Sequence, residues 1–311
     1  MPDARHPVDA YSDEQLFALM QRVSADGFPA RFEDVWRAER VRIRETLRRI
    51  PPAASADSSI LDLGSSRVWL PFFQELLGYR RIVLNTSYPD AGFVSDCLRV
   101  EGAQPADVGM EVFDVERDEF PFEGESFDVI TCLEVLEHLA IDPMAMMAEV
   151  NRVLKPGGRL VLSTPNAVRT ANVASILLGE QPCGWNPYNG FDTNRHNREY
   201  TPREIDRLFA ATGLKAQEVT TFGTKSRGPL RNTLSLILGL GLAVIPGTPP
   251  RHRRDVILAT GSKTSGIIQR RPTWLYFDMA ERKMAQPRTF LDRSPAKEIE
   301  DVAKTVECIS R

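Results

Sequence analysis

Residues 127–166 read FDVITCLEVLEHLAIDPMAMMAEVNRVLKPGGRLVLSTPN, and this stretch decides the fold. Phe127 to Cys132 is an apolar-rich run of strand length. Glu134, Glu137 and His138 follow at i, i+3 and i+4, a spacing that predicts three polar side chains on one face of a helix. A second helix is predicted to run to Leu154, with Met146, Met147, Val150, Val153 and Leu154 at core spacing. Lys155-Pro156-Gly157-Gly158 then stops it before a β-rich run from Arg159 to Thr164. Strand, helix, turn and strand in this order predict a parallel pair with a right-handed crossover. Ligands of open parallel sheets sit beyond the carboxyl ends of the strands, which is where this Glu-His cluster falls.

Outward from this unit, strands alternate with helices. Ser59–Leu63, Arg81–Asn85 and Glu111–Phe113 read as strands, and a helix is expected from Phe72 to Leu77. Thr201 caps a helix with Pro202 at its first position and Glu204 at its third, and Ala216–Phe222 and Asp255–Thr260 are further strands. The fold class is therefore α/β, a doubly wound and mostly parallel sheet. Residues 12–50 look helical, with Ser12 and Gln15 as a capping box, and are expected to cover the carboxyl edge of the sheet. Between the last two strands, Leu234 to Ile245 carries no charge but spans only about 18 Å as a helix, short of a bilayer core. It reads either as a buried helix or as an interfacial segment held by flanking arginines.

The chain of 311 residues has a net charge of −3, which gives no global reason to expect nucleic acid. Residues 251–311 differ, with 13 Lys and Arg against 8 Asp and Glu. The four cysteines have no metal or disulfide spacing, and the first residues lack the apolar core of a secretory signal, so a reducing cytoplasm is the expected compartment.

Ile60-Leu61-Asp62-Leu63-Gly64, then Asp114, then Phe127–His138, then Arg152–Gly158 together resemble the class I S-adenosylmethionine-dependent methyltransferases. The resemblance implies a seven-stranded sheet over residues 56–261, with a helical cap over 1–55, an apolar insertion over 223–254 and a basic tail over 262–311. It implies further that Asp62, Gly64, Ser65 and Ser66 form the first cofactor turn. Asn85 would face the ribose hydroxyls, Asp114 would accept from the adenine amino group, and Val115 and Leu133 would line the same cleft. Two positions depart from the family pattern. The usual Gly-x-Gly-x-Gly is here Gly64-Ser65-Ser66-Arg67-Val68, and the usual acidic residue on the ribose is Asn85.

A narrower resemblance joins Glu134-x-x-Glu137-His138 to His196. It is similar to the metal pattern of small-RNA terminal 2′-O-methyltransferases and ubiquinone-pathway O-methyltransferases, and implies Mg²⁺ or Mn²⁺ on Glu134, Glu137, His138 and His196. A metal-free site, with His138 as general base beside Glu137, stands beside that reading. Cys183 to Tyr200 reads as a substrate lid, with Trp185, Tyr188, Arg195, Arg198 and Tyr200 as contacts. The expected reaction is O-methylation of a hydroxylated small molecule or glycan, lipid-linked if residues 234–245 touch a membrane surface. A terminal RNA ribose and a catalytically silent scaffold are the alternatives, and DNA is not an expected partner.

Overall fold

A computed structural model describes residues 6–24, 32–87, 99–182, 195–223, 241 and 252–276. The strands are β1 (Val23–Ser24), β2 (Ser59–Leu63), β3 (Arg81–Thr86), β4 (Arg99–Val100), β5 (Asp107–Val112), β6 (Phe127–Leu133), β7 (Leu154–Pro165), β8 (Leu214–Phe222) and β9 (Val256–Lys263). The helices are α1 (Asp13–Met20), α2 (Phe32–Leu47), α3 (Pro143–Val153), α4 (Thr170–Leu177) and α5 (Pro202–Ala211). Seven strands form one sheet in the order β5-β3-β2-β6-β7-β9-β8. Its neighbours pair in parallel from β5 to β7, and β9 runs antiparallel to both β7 and β8.

The order of connection reverses between β2 and β6. From β2 the chain moves outward to β3 and β5, and from β6 it moves the other way to β7. A crevice at such a reversal is where doubly wound sheets bind ligands. Both central strands are buried on both faces, so successive residues feed opposite cores. Ile60 belongs to one buried cluster, with Phe72, Phe73, Ile43 and Leu47, whereas Leu61 belongs to the other, with Ile130, Met146, Met147, Val150 and Phe209. This explains why β2 reads as a continuous apolar run rather than an alternating one.

Local chemistry sets the helix starts. Ser12 and Gln15 form a reciprocal capping box on α1, and Thr201 and Glu204 form another on α5, with Pro202 in its first turn. Asp142 caps α3, its carboxylate accepting from the Met144 amide at 3.0 Å. Arg44 of α2 pairs with Asp13 at 2.7 Å, tying the two cap helices together.

Several expectations are corrected. The helix expected from Phe72 to Leu77 is a short π-helical segment, Phe72–Leu76. The strand expected at Glu111–Phe113 begins at Asp107, and the one expected at Arg159 begins at Leu154, so Lys155–Gly158 ends α3 but lies inside β7. The two-stranded pair of β1 with β4, and α4, are additions. Glu134 to His138 is not a helical face. Glu134 adopts φ +59°, and only Leu136–His138 turn, as one 3₁₀ segment. Trp274, Leu275 and Tyr276 pack against the core. Of the apolar insertion at 234–245 only residue 241 is described, and residues 277–311 of the tail lie outside the described residues. Among the described residues no helix is long and apolar enough to cross a membrane.

Candidate active site

The carboxyl ends of β2 and β6 frame a cavity of about 200 Å³ whose walls include Asp62, Gly64, Ser66, Leu133 and Glu134. Asp62 is 1% exposed. Its Oδ1 accepts from the Thr131 hydroxyl at 2.6 Å, and its Oδ2 has no hydrogen-bond partner. Burial pushes this carboxyl up to about 6, against the opposing pull of the Thr131 hydroxyl and the nearby Ser65 hydroxyl. A buried carboxylate oxygen with no donor is costly unless a ligand supplies one.

Gly64 makes the turn at φ +60°, and a Cβ built there would lie 2.7 Å from Val135 Cγ2. This one glycine of the family turn is required twice, by its backbone conformation and by the close approach of Val135. Its amide donates to Asn85 Oδ1 at 3.1 Å, and the Ser65 amide donates to the Asn85 carbonyl at 2.8 Å. Asn85 is 1% exposed, and its Nδ2 donates to the Phe113 carbonyl at 3.0 Å. The structure thus places Asn85 as a brace beneath the loop, its amide already committed, rather than outward toward a sugar. Asp114 accepts from the Glu116 amide and from Arg117, both at 2.9 Å. Val115 joins the core cluster of Phe113 and Phe120.

The sequence reading missed Arg42. It lies in the middle of α2, yet it lines the same cavity as Asp62 and Glu134. Burial works to lower its pKa, but the carboxylates of Glu134, Glu39 and Glu137 outweigh that and hold it raised. Its local pairing with Glu39, three positions away, does not mark the cavity, because Asp62, Glu134 and Glu137 lie about 20 to 100 positions away. The one available signal was a cation on a helix expected to cover the carboxyl edge.

Beside this cavity stands a second cluster. Ligand atoms of Glu137, His138 and His196 all lie within 4.8 Å of one another. Glu137 is fully buried, its Oε2 accepting from the Thr164 hydroxyl at 2.9 Å and its Oε1 without a hydrogen bond. Burial and the neighbouring Glu134 carboxylate push it well above the usual carboxyl range, with Thr164 and Arg42 pulling back. His138 Nε2 stands 3.9 Å from Glu137 Oε1. His138 Nδ1 lies 3.1 Å from the Arg195 carbonyl, which only accepts, so Nδ1 carries the proton. The two imidazole rings meet edge to face with centroids 5.1 Å apart.

Residues 195–200 bring His196 there. The amides of Asn197 and Arg198 donate to the Glu137 carbonyl at 2.7 and 3.2 Å, and Asn197 Nδ2 donates to the His138 carbonyl at 2.7 Å. His196 Nδ1 lies 3.1 Å from Glu199 Oε1. Burial would raise the Glu199 carboxyl, but His196, Arg169 and Asn172 outweigh it and hold it low.

Not every expected residue joins the cluster. Glu134 stays outside the three-residue set, because its positive φ turns its carboxylate to the Ser163 hydroxyl at 2.8 Å and to the cavity. Tyr200, expected at the substrate, is 1% exposed and packs in the core. Arg198 lies over the Tyr200 ring and pairs with Glu204 at 2.6 Å. Arg195 is half-buried, its guanidinium donating to Asn197 Oδ1 at 2.9 Å. Trp185 and Tyr188 lie outside the described residues.

Sheet order, the Gly64 turn and the carboxyl-edge cavity are those of a class I S-adenosylmethionine-dependent methyltransferase. A family model described as a methyltransferase domain matches residues 35–219, and the chain belongs to that family. It is similar to the ubiquinone biosynthesis O-methyltransferase of Idiomarina loihiensis, 43% identical over 94 residues, covering 29% of this chain and 35% of that one. It is also similar to the ubiquinone biosynthesis O-methyltransferase of Rhizobium etli, 28% identical over 161 residues, covering 52% and 61%. The chain thus spans from about a third to three-fifths of the length of these curated relatives. Among solved structures, a chain of the complex between the Haloferax volcanii Trm112 methyltransferase activator and a methyltransferase superposes with TM-score 0.51 at 17% identity. The likeness covers 81% of this chain and 98% of that one, and it bears on the fold alone.

Proposed function

We propose that this chain transfers a methyl group from S-adenosylmethionine to a hydroxyl oxygen of a small molecule or glycan, with a divalent ion held by Glu137, His138 and His196. The observation that carries the reading is the buried Glu137 Oε1, with no donor of its own, in a carboxylate clustered with the imidazoles of His138 and His196 beside the cofactor cavity. A buried carboxylate with two histidines is a donor set that takes Mn²⁺ readily and Mg²⁺ less so. Such an ion lowers the pKa of a chelated hydroxyl and orients it.

The cofactor residues fit their group. Asp62 Oδ2 lacks a donor, and the ammonium of a methionyl group would supply one; Arg42 in the same wall suits its carboxylate. At about 200 Å³ the cavity falls below the roughly 300 Å³ at which ligand pockets usually begin, so it suits the amino-acid end of the cofactor rather than the whole. The cofactor supplies an electrophilic methyl on a sulfonium. Around it, the chain's own residues hold the amino-acid end, keep water from Glu137 and hold His138 with Nε2 unprotonated. The relatives named as ubiquinone biosynthesis O-methyltransferases favour oxygen as the attacked atom.

Calorimetric titration of the EDTA-stripped protein with S-adenosylhomocysteine and with Mn²⁺, separately and together, tests this. Micromolar binding of both is expected, with Mn²⁺ uptake lost in Glu137→Gln and cofactor binding kept. Cofactor binding with no uptake of Mn²⁺ or Mg²⁺ would remove the ion and leave His138 as general base. Binding of neither would remove the enzyme reading in favour of a silent scaffold.

A further inference from the structure

Glu199 was not among the residues that the sequence motifs single out, yet its place in the fold is specific. Its side chain is 2% exposed, deeper than His196 at 11%. One carboxylate oxygen faces His196 Nδ1 at 3.1 Å, and the other accepts from Asn172 Nδ2 at 3.2 Å. Asn172 is itself fixed, donating to the Ala167 carbonyl at 3.0 Å and accepting from Arg169 Nε at 2.8 Å. Arg169 Nη2 stands 3.9 Å from Glu199. A carboxylate is thus held in place from α4 and aimed at the outer nitrogen of an imidazole whose ring meets His138.

We propose that Glu199 is the positioning residue of this site: by accepting from His196 Nδ1–H it fixes the tautomer of His196, so that Nε2 keeps its lone pair beside Glu137 and His138. The proposal rests on the reading of those three residues as an ion site. The physical reason is the same for both histidines, whose outer nitrogens are engaged by an acceptor so that their inner ones are ready to ligate. His138 uses the Arg195 carbonyl and His196 uses Glu199, which being charged is the stronger acceptor. Asn172 and Arg169 in turn hold the Glu199 carboxylate, so α4 sets the orientation of a residue it does not touch.

Glu199→Gln is the informative substitution. It keeps the shape but leaves one acceptor oxygen for two donors, His196 and Asn172. An amide nitrogen turned toward His196 forces Nδ1 to accept and moves the proton to Nε2. Long-range ¹H–¹⁵N correlation spectra of the histidine-labelled full chain, at about pH 8 and above the ordinary imidazole range, read each tautomer without metal or substrate. The expected result is Nδ1–H on His196 in the unmodified protein, a majority of Nε2–H in Glu199→Gln, and recovery in Glu199→Asp, with His138 unchanged throughout. Mn²⁺ affinity should fall by about 10- to 100-fold in Glu199→Gln. An Nε2–H tautomer in the unmodified protein, or an unchanged tautomer in Glu199→Gln, would overturn the proposal. Expected tautomers together with no Mn²⁺ uptake by the unmodified protein would support the positioning role and sink the ion instead, so the two failures are distinguishable.

Discussion

At the scale of single residues, the site is made of charges kept from water before any ligand arrives. Asp62 shows the cost. Its folded-state value of about 6 lies above its ordinary 3.8, so folding favours the protonated form. That favourable contribution is complete below about pH 4 and is lost as pH rises through about 6, because folding must then bury a charge. A displacement of this size corresponds to about 3 kcal/mol. Asp62→Asn keeps an acceptor for Thr131 and removes the charge. The variant should therefore be more stable than the unmodified protein at pH 8 by up to about 3 kcal/mol, with the gap closing toward pH 4. The same change should weaken S-adenosylhomocysteine binding at pH 8, since the ammonium loses its counter-charge. Urea unfolding at both pH values measures the first effect, and a pH-independent difference would contradict the assignment.

At the scale of elements, each piece delivers one group that its own sequence does not announce. Helix α2 carries Arg42 into the cofactor cavity about one and a half turns before its end. Arg42→Ala should lower affinity for S-adenosylhomocysteine by about 10- to 100-fold, the worth of a charge-assisted hydrogen bond of about 1.5–3 kcal/mol. Methylthioadenosine lacks the amino-acid end, so its affinity should be unchanged. Equal losses for both ligands would show that Arg42 shapes the cavity rather than holding a carboxylate. The contrast with β2 and β6 is instructive. Their apolar runs are legible because burial on both faces leaves no polar alternation, and the capping boxes of α1 and α5 are legible because they are local hydrogen bonds. Glu134 is not legible. Its spacing to Glu137 and His138 fits a helix, but the Glu134 amide donates to the Ser163 carbonyl of β7 at 3.0 Å with φ at +59°, a tertiary contact that overrides the pattern. Glu199 is likewise hidden, since its partners Asn172 and Arg169 sit in and just before a helix that the sequence does not predict.

At the scale of the whole molecule, the sheet reversal brings the ends of β2 and β6 together, and segments distant in sequence hold the cavity and the loop beside it. From the N-terminal side comes α2; from the C-terminal side comes the stretch Pro272–Tyr276. The Tyr276 hydroxyl donates to Asp142, the cap of α3, and Arg271 stands 3.8 Å from the same carboxylate. Glu116 grips the same loop from the other side, accepting the amides of Ala140, Ile141 and Asp142 at 2.7–2.9 Å. The loop that follows His138 is therefore held by a carboxylate from the β5 side and by the phenol of Tyr276. Tyr276→Phe removes the phenolic donor from Asp142, which is 2% exposed, and should cost about 1–3 kcal/mol of stability. Because the Glu116 grip and the Arg195 contact to His138 remain, affinity for S-adenosylhomocysteine should stay within about twofold. Burial and the Asp142 charge push the Tyr276 phenol far above neutrality, so the stability loss should be the same from pH 6 to pH 9. A loss that varies across that window would contradict a phenol that keeps its proton throughout it.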